Sequence, residues 1–397
     1  MAIHFFIVLT ILLLFISAMM LIISLRFARP IPDYPVVDLE EVDGDVLAEH
    51  LSDVIHCRTI ASDELTSTMR DEYINLHRAL LKHFPRVHTT LEVRSSQDLS
   101  LLYIWPGRNS KLPGVLLSGH YDVPPVDPKT VDQWEAPPFS GTVKDGYVWG
   151  RGTLQGKGQM VAILQAVETM LRAGYKPERT VYLAFGHDSL SGGKMGASRT
   201  AAYLKKAGVK LEVALDEGDW ISDGYYPGMT GMAALIGVTE RGHIRFEFRA
   251  RNTGQDDNTL NILSHALARL SDNPLPASFK EIRETYRGLV GGVGYLQQVV
   301  FANIWLLSSV ARKMIYKHPE AQMRSRTQFI PIRFTGGLQN ARADVDVFLM
   351  PGETIAAVSE HIRKAVNDER VIFQPQADRA WEAPNASSSE SAAYQTV

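Results

Sequence analysis

The chain has 397 residues, 45% of them hydrophobic and 21% charged, which is long enough for two or three cores and ordinary for a folded globular protein. Its 41 basic and 44 acidic residues leave a net charge of -3, and no long basic run occurs, so there is no electrostatic case for nucleic acid as a partner. The single cysteine, Cys57, excludes an internal disulfide and any cysteine-built zinc spacing.

In chain order, the first feature is Phe5 to Leu25, an uncharged stretch broken only by Thr10, Ser17 and Ser24. As a helix it would span roughly 31 Å, about one hydrocarbon core, and no clear small-x-small cleavage site follows it. We therefore expect residues 1–29 to be a transmembrane anchor that makes this a single-pass membrane protein. The alternative is a cleaved signal and a secretory-pathway product. Arg26 and Arg29 after the span favour a cytosolic body, while the one sequon, Asn385-Ala386-Ser387, favours the lumen. Residues 30–44 are polar and proline-bearing, as a linker would be.

An α/β pattern follows. Helices are expected at Asp45 to Val54, Asp71 to Phe84, Gln159 to Ala173 and Ala197 to Ala207. Strands are expected at Leu101 to Trp105, Val115 to Ser118, Thr180 to Gly186 and Glu212 to Leu215. Strands alternating with helices predict a sheet covered on its faces. Near residue 240 the rhythm changes. His243 to Arg251, Phe329 to Phe334, Ala343 to Leu349 and Val371 to Gln374 read as short strands, and Asn258 to Leu270 and Glu353 to Asn367 as helices, which together predict an α+β unit. Tyr295 to Ile315 is apolar but interrupted by Asn303, Ser308, Ser309, Arg312 and Lys313, so a packed helix is expected there. Residues 376–397 are rich in Ala, Ser, Gln and Pro and are expected to be disordered.

Four segments carry the chemistry. LLSGHYDV puts His120 and Asp122 just past a strand, where an imidazole can bind a metal while a carboxylate holds it. Then come GRGTLQGKG at residues 150–158, AFGHDSLSGGKMGA at 184–197 and LDEG at 215–218. The second is not a phosphate loop, because only three residues separate Gly152 from Gly156 and Gly158 follows Lys157. In this order the segments resemble the zinc exopeptidase and amidohydrolase family that includes carboxypeptidase S, aminoacylase and the secreted N-acyl amino acid hydrolases. PGMTGMAALIGVTERG at 227–242 fits the same family.

That resemblance implies a fold and a chemistry. The fold is a zinc-exopeptidase-like catalytic α/β domain over residues 45–241, an inserted α+β dimerisation or lid domain over 242–375, and the N-terminal transmembrane helix. The chemistry uses two zinc ions about 3.5–4 Å apart, sharing a carboxylate and a water, and a glutamate that takes the proton of that water. By resemblance His120 is the first metal ligand, Asp122 its supporting catalytic carboxylate, and Asp216 another ligand. The bridging aspartate position is Gln155, and the acidic position beside it is Gly156. Ser189 stands at the general base and Leu190 at a further ligand. The lid's Gly-His pair reads Gly254-Gln255. Zinc is the cofactor the resemblance implies, with His120, Asp216 and Gln155 as the remaining donors.

The expectation is thus a hydrolase-class protein with impaired catalysis whose ligand is a small N-acyl amino acid or peptide. A homodimer or heterodimer through the lid is the expected assembly. The rivals are an active hydrolase with a rebuilt single-metal site and a membrane-anchored dimerisation or interaction protein. In the family the chain returns to the catalytic domain after the lid and supplies a last histidine. Here only Ser391 to Tyr394 resembles the start of that return, so uncovered apolar surface on the sheet is expected.

Overall fold

The computed structural model describes residues 2–27, 42–96, 99–218, 221–224, 229–252, 254 and 258–396. Residues 30–41 of the expected linker, and Gln255 of the expected lid pair, lie outside the described residues. The chain divides into two compact units, one of residues 36–218 and the other of residues 1–35 with 219–395.

The first unit is built on a five-stranded sheet in the order Glu92–Ser96, Ser100–Trp105, Val181–Gly186, Gly114–His120, Leu211–Leu215. The first three strands pair antiparallel, whereas Gly114–His120 runs parallel to both of its neighbours. Three strands therefore end on the same side, with His120 opposite Gly186 and Leu117 opposite Leu215. Ligand-binding groups in open α/β sheets gather at such carboxyl ends.

One sheet face is deeply covered. Helices Gly44–His56, Ser67–His83 and Lys157–Arg172 bring Val54, Tyr73, Leu76, Leu80, Met160 and Leu164 against Leu101, Tyr103 and Phe185. The other face carries a smaller cluster of Leu102, Ala184 and Leu204, the last from helix Ala197–Lys206, with Ile104, Leu116 and Tyr182 packed against it. The first helix starts where Asp43 accepts hydrogen bonds from the Asp45 and Val46 amides, an N-cap. Its other end is closed by a buried lysine. Lys157 Nζ donates to the Val54 carbonyl at 3.1 Å and to that of Cys57, so two helix-end carbonyls find a partner.

The second unit contains a four-stranded antiparallel sheet in the order Gln328–Gly336, Ala341–Leu349, Gly242–Ala250, Val371–Trp381. Alternate residues of the two central strands are buried, as period two demands. Ile244, Phe246, Phe248, Val345 and Val347 pack under helices Thr259–Asp272 and Ile355–Val366, which Asn258 and Thr354 cap.

Three differences from the sequence reading stand out. The last strand does not stop at Gln374 but runs to Trp381, because His243 pairs with Trp381 and their rings lie 4.8 Å apart. The tail beyond residue 376, expected as disordered, is therefore partly strand, and Ala392–Thr396 is helical. The single helix expected over Tyr295 to Ile315 is two, Tyr295–Ala302 and Ile304–Tyr316, broken at Asn303, whose φ/ψ of -108°/36° is not helical.

Candidate functional site

His120 ends its strand with the ring part-buried, its side chain 14% exposed. Nδ1 directs its hydrogen to the Asp122 carbonyl at 2.9 Å, and the Asp122 carboxylate oxygen Oδ1 sits 3.1 Å from the same nitrogen as an ion-pair contact. On the far side of the ring, Nε2 lies 3.2 Å from Glu217 Oε1. Burial disfavours a charged imidazole here. The hydrogen bonds and charges of Asp122 and Glu217 outweigh that and push the pKa up to about 10. In this arrangement both ring nitrogens carry protons and His120 is a cation clamped by two carboxylates.

Asp122 is fully buried, and its Oδ2 accepts the Leu190 amide at 2.8 Å, which ties the strand end to the loop after Gly186. Asp216, exposed at the end of Leu211–Leu215, accepts a hydrogen bond from Ser118 Oγ at 2.8 Å. The structure thus brings His120, Asp122, Asp216 and Glu217 together through direct contacts or a shared strand. Glu217 and Ser118 were missed by sequence reasoning, although both lie inside the quoted motifs. The glutamate of LDEG follows directly on Asp216, and the serine of LLSGHYDV is two residues before His120, on the same strand face.

Loop 150–158 approaches His120 through its backbone. Gly156 has φ +74°, and a Cβ there would lie 2.8 Å from the His120 carbonyl and 3.1 Å from its ring. A Cβ on Gly158 would meet the Thr153 carbonyl at 2.0 Å. These two positions need glycine whatever the chemistry. Gln155, just before them, is exposed. Lys157 is wholly buried, and burial pulls its pKa down to about 8.

The loop after Gly186 is also held by its backbone. His187 is buried, with Nδ1 2.5 Å from Ser100 Oγ, and burial lowers its pKa. Asp188 accepts the Met195 and Gly196 amides at 2.7 and 2.9 Å. Ser189 and Leu190 begin a short 3-10 turn with their side chains exposed, Leu190 by 49%. Among the described residues, no group of three or more His, Cys, Asp or Glu side chains is arranged to hold a metal ion.

Beside the glycine loop lies a cavity of about 550 Å³ lined by Trp134, Tyr147, Trp149, Gly150 and Thr153. The Arg151 guanidinium lies 4.7 Å from the Trp134 ring centroid.

Comparison with known proteins agrees with this architecture. Residues 116–377 match the model for peptidase family M20/M25/M40. The chain is 30% identical over 383 residues to the probable carboxypeptidase S-like 2 of Dictyostelium discoideum, covering 91% of this chain and 73% of that one. It is also 30% identical over 357 residues to the N-fatty-acyl-amino acid synthase/hydrolase PM20D1 of Xenopus tropicalis, covering 85% and 68%. Human carnosine dipeptidase 1 superposes with a TM-score of 0.60 at 16% identity over 86% of this chain and 79% of its own, which shows a shared fold.

Proposed function

Because the chain belongs to the M20/M25/M40 peptidase family, we propose that it keeps the family's scaffold and ligand class but has lost the two-metal hydrolysis. The observation that carries this is the donor set around His120. A two-zinc site needs a shared carboxylate, further N, S or carboxylate ligands, and a base beside the bridging water. At those positions this chain offers a neutral amide on Gln155, a hydroxyl on Ser189 and a hydrocarbon on Leu190. The remaining donors, His120, Asp216 and Glu217, do not fit a pair of zinc ions.

What the residues do instead is hold one another. Asp122 and Glu217 keep His120 charged and oriented, Ser118 fixes Asp216, and the Leu190 amide caps Asp122. A ligand of the class that the relatives' names indicate, an N-acyl amino acid or short peptide, would meet a polar strand-end surface and the aromatic cavity near Trp149. There it would bind without a base to activate water.

The proposal includes the membrane. Helix Ala2–Leu25 holds an apolar span at Ile3–Leu25 with mean hydropathy 3.1. A signal sequence would share that composition. The retained anchor is favoured because Ser24 and Phe27, at its end, are buried in the folded unit. The unit with the four-stranded sheet is proposed as the lid and dimerisation surface, and sedimentation of the full chain in detergent tests that part.

The experiment for the central proposal is hydrolysis of N-acyl amino acids and dipeptides by the purified full chain, followed with and without a chelator. We expect ligand binding by calorimetry without chelator-sensitive turnover. Chelator-sensitive turnover at rates typical of enzymes would overturn the proposal.

A further inference from the structure

The helices between Lys280 and Tyr316 belong neither to the site around His120 nor to the core under the four-stranded sheet. Helices Lys280–Gly288, Tyr295–Ala302 and Ile304–Tyr316 enclose a core of their own, formed by Ile282, Tyr286, Phe301, Ala311 and Ile315. Tyr286 and Phe301 stack at its centre, with ring centroids 3.6 Å apart.

The end of the apolar N-terminal helix docks into this same core. Phe27 is buried there, Ile23 packs against it, and the Arg283 guanidinium lies 5.2 Å from the Phe27 ring centroid. Asn303, fully buried at the break between two helices, donates to the Met20 carbonyl at 3.2 Å and to Ser24 Oγ at 3.0 Å. Gln298 donates to the Ser24 carbonyl at 2.9 Å. The buried Nδ2 of Asn303, donating in this way, holds the two elements in register, because parting them would leave its hydrogens unpaired.

The outward side of the helices is apolar and aromatic. Tyr295, Leu296, Trp305, Leu306 and Val310 are all exposed, Leu296 by 79% and Trp305 by 55%. Exposed Arg312, Lys313 and Lys317 follow. A grouped apolar surface of this kind marks a binding face, and exposed aromatics beside basic residues suit the boundary between lipid headgroups and acyl chains.

We infer that the helices Tyr295–Ala302 and Ile304–Tyr316 form a second membrane contact, lying in the interface of the bilayer that the N-terminal helix crosses. The inference rests on the anchor reading above and adds a surface to it. The span Ile3–Leu25 has 23 residues, about 34 Å of helix, against a hydrocarbon core of about 30 Å. Met20 lies about 7 Å inside the end of that span. A bilayer that holds the whole span therefore reaches the level at which Asn303 grips it, and the apolar side chains beside Asn303 meet lipid. A second copy of the chain or a bound acyl chain has no need of a fixed distance to the span, whereas a bilayer does.

Fluorescent labelling of the full chain tests this. Cys57 is buried, and burial pushes its thiol up to about 11, so cysteines introduced elsewhere take the label. Leu12→Cys reports on the span, Leu296→Cys and Trp305→Cys on the proposed contact, and Lys364→Cys on an exposed helix of the sheet-bearing unit. Each labelled protein is reconstituted into phosphatidylcholine–phosphatidylserine vesicles with or without nitroxide-bearing lipid. The expected result is loss of most fluorescence to the lipid nitroxide at residues 12, 296 and 305, and none at 364. Quenching at 12 without quenching at 296 and 305 overturns the inference and leaves the anchor intact. No quenching at 12 overturns the anchor reading and this inference with it. Labels at 296 and 305 that are shielded from aqueous iodide yet untouched by the lipid nitroxide show a protein occupant, such as a second copy, and also overturn the inference.

Discussion

At the ends of strands Gly114–His120 and Leu211–Leu215, each ionisable side chain of the site is held by another group. His120 sits between Asp122 and Glu217, and Asp216 is bound by Ser118. In the two loops beyond, the backbone is what is held. Gly156 presses on His120, Lys157 reaches the end of helix Gly44–His56, and Asp188 gathers two amides, while the side chains of Gln155, Ser189 and Leu190 face solvent. The first half of the site keeps its charges through the ion pairs of His120 with Asp122 and Glu217 in a part-buried place, with Asp122 Oδ1 and Glu217 Oε2 left without hydrogen-bond partners. The second half keeps its shape because the shape does not depend on acids. Residues that a fold requires and residues that a reaction requires can thus separate within a few positions of one loop.

The largest effect expected from breaking this contrast is on metal affinity. Gln155→Asp, Ser189→Glu and Leu190→Glu combined place carboxylates at the positions where the proposed reading expects the metal-binding acids. Losing even an outer partner of a metal ligand costs about 10- to 100-fold in affinity, so the triple variant should bind zinc at least about 10²-fold more tightly than the parent by competition titration. No gain would show that the loop backbone, and not only its side chains, has departed from a metal site.

Gly156→Ala attacks the shape of the loop. Positive φ and the close His120 carbonyl should cost about 2–4 kcal/mol in urea unfolding. A neutral result would show that the loop is not pressed on the strand end. Lys157→Met removes the donor to two helix-end carbonyls and should cost about 2–3 kcal/mol, even though the residue never touches a ligand.

The charged half of the site predicts a pH dependence. The pKa of His120 rises from an ordinary 6.5 to about 10 on folding. The stability this contributes is fully present below about pH 6.5 and is lost as pH climbs through about 10. The difference in unfolding free energy between the parent and His120→Gln should therefore be widest near pH 6 and narrow as pH rises towards 10. Lys157, pulled down to about 8, titrates in the same window in both proteins and cancels. A difference that grows with pH would contradict the clamp. The smallest effect belongs to Leu190→Ser, within about 0.5 kcal/mol because the side chain is already in solvent.

Much of this was legible in the sequence, and what was missed has physical causes. Apolar runs and helical periodicity located the central strands and the helices of both units. The motifs put His120 and Asp216 at strand ends, where the parallel strands deliver them. The edge strand Glu92–Ser96 was missed because EVRSS has little to bury and is stabilised only by pairing with Ser100–Trp105. The last strand was cut short because its pairing with His243 is not local. The break at Asn303 was hidden because the partners of its side chain, Met20 and Ser24, lie far away in the chain. Glu217 was overlooked because one residue of spacing cannot reveal which of two adjacent carboxylates faces a ring.

Zinc content tests the central claim most directly. The purified full chain, equilibrated with micromolar zinc and then freed of unbound metal, should hold fewer than two ions per chain by elemental analysis. Two tightly held ions per chain, with anomalous scattering placing them between His120, Gln155 and Asp216, would contradict the account.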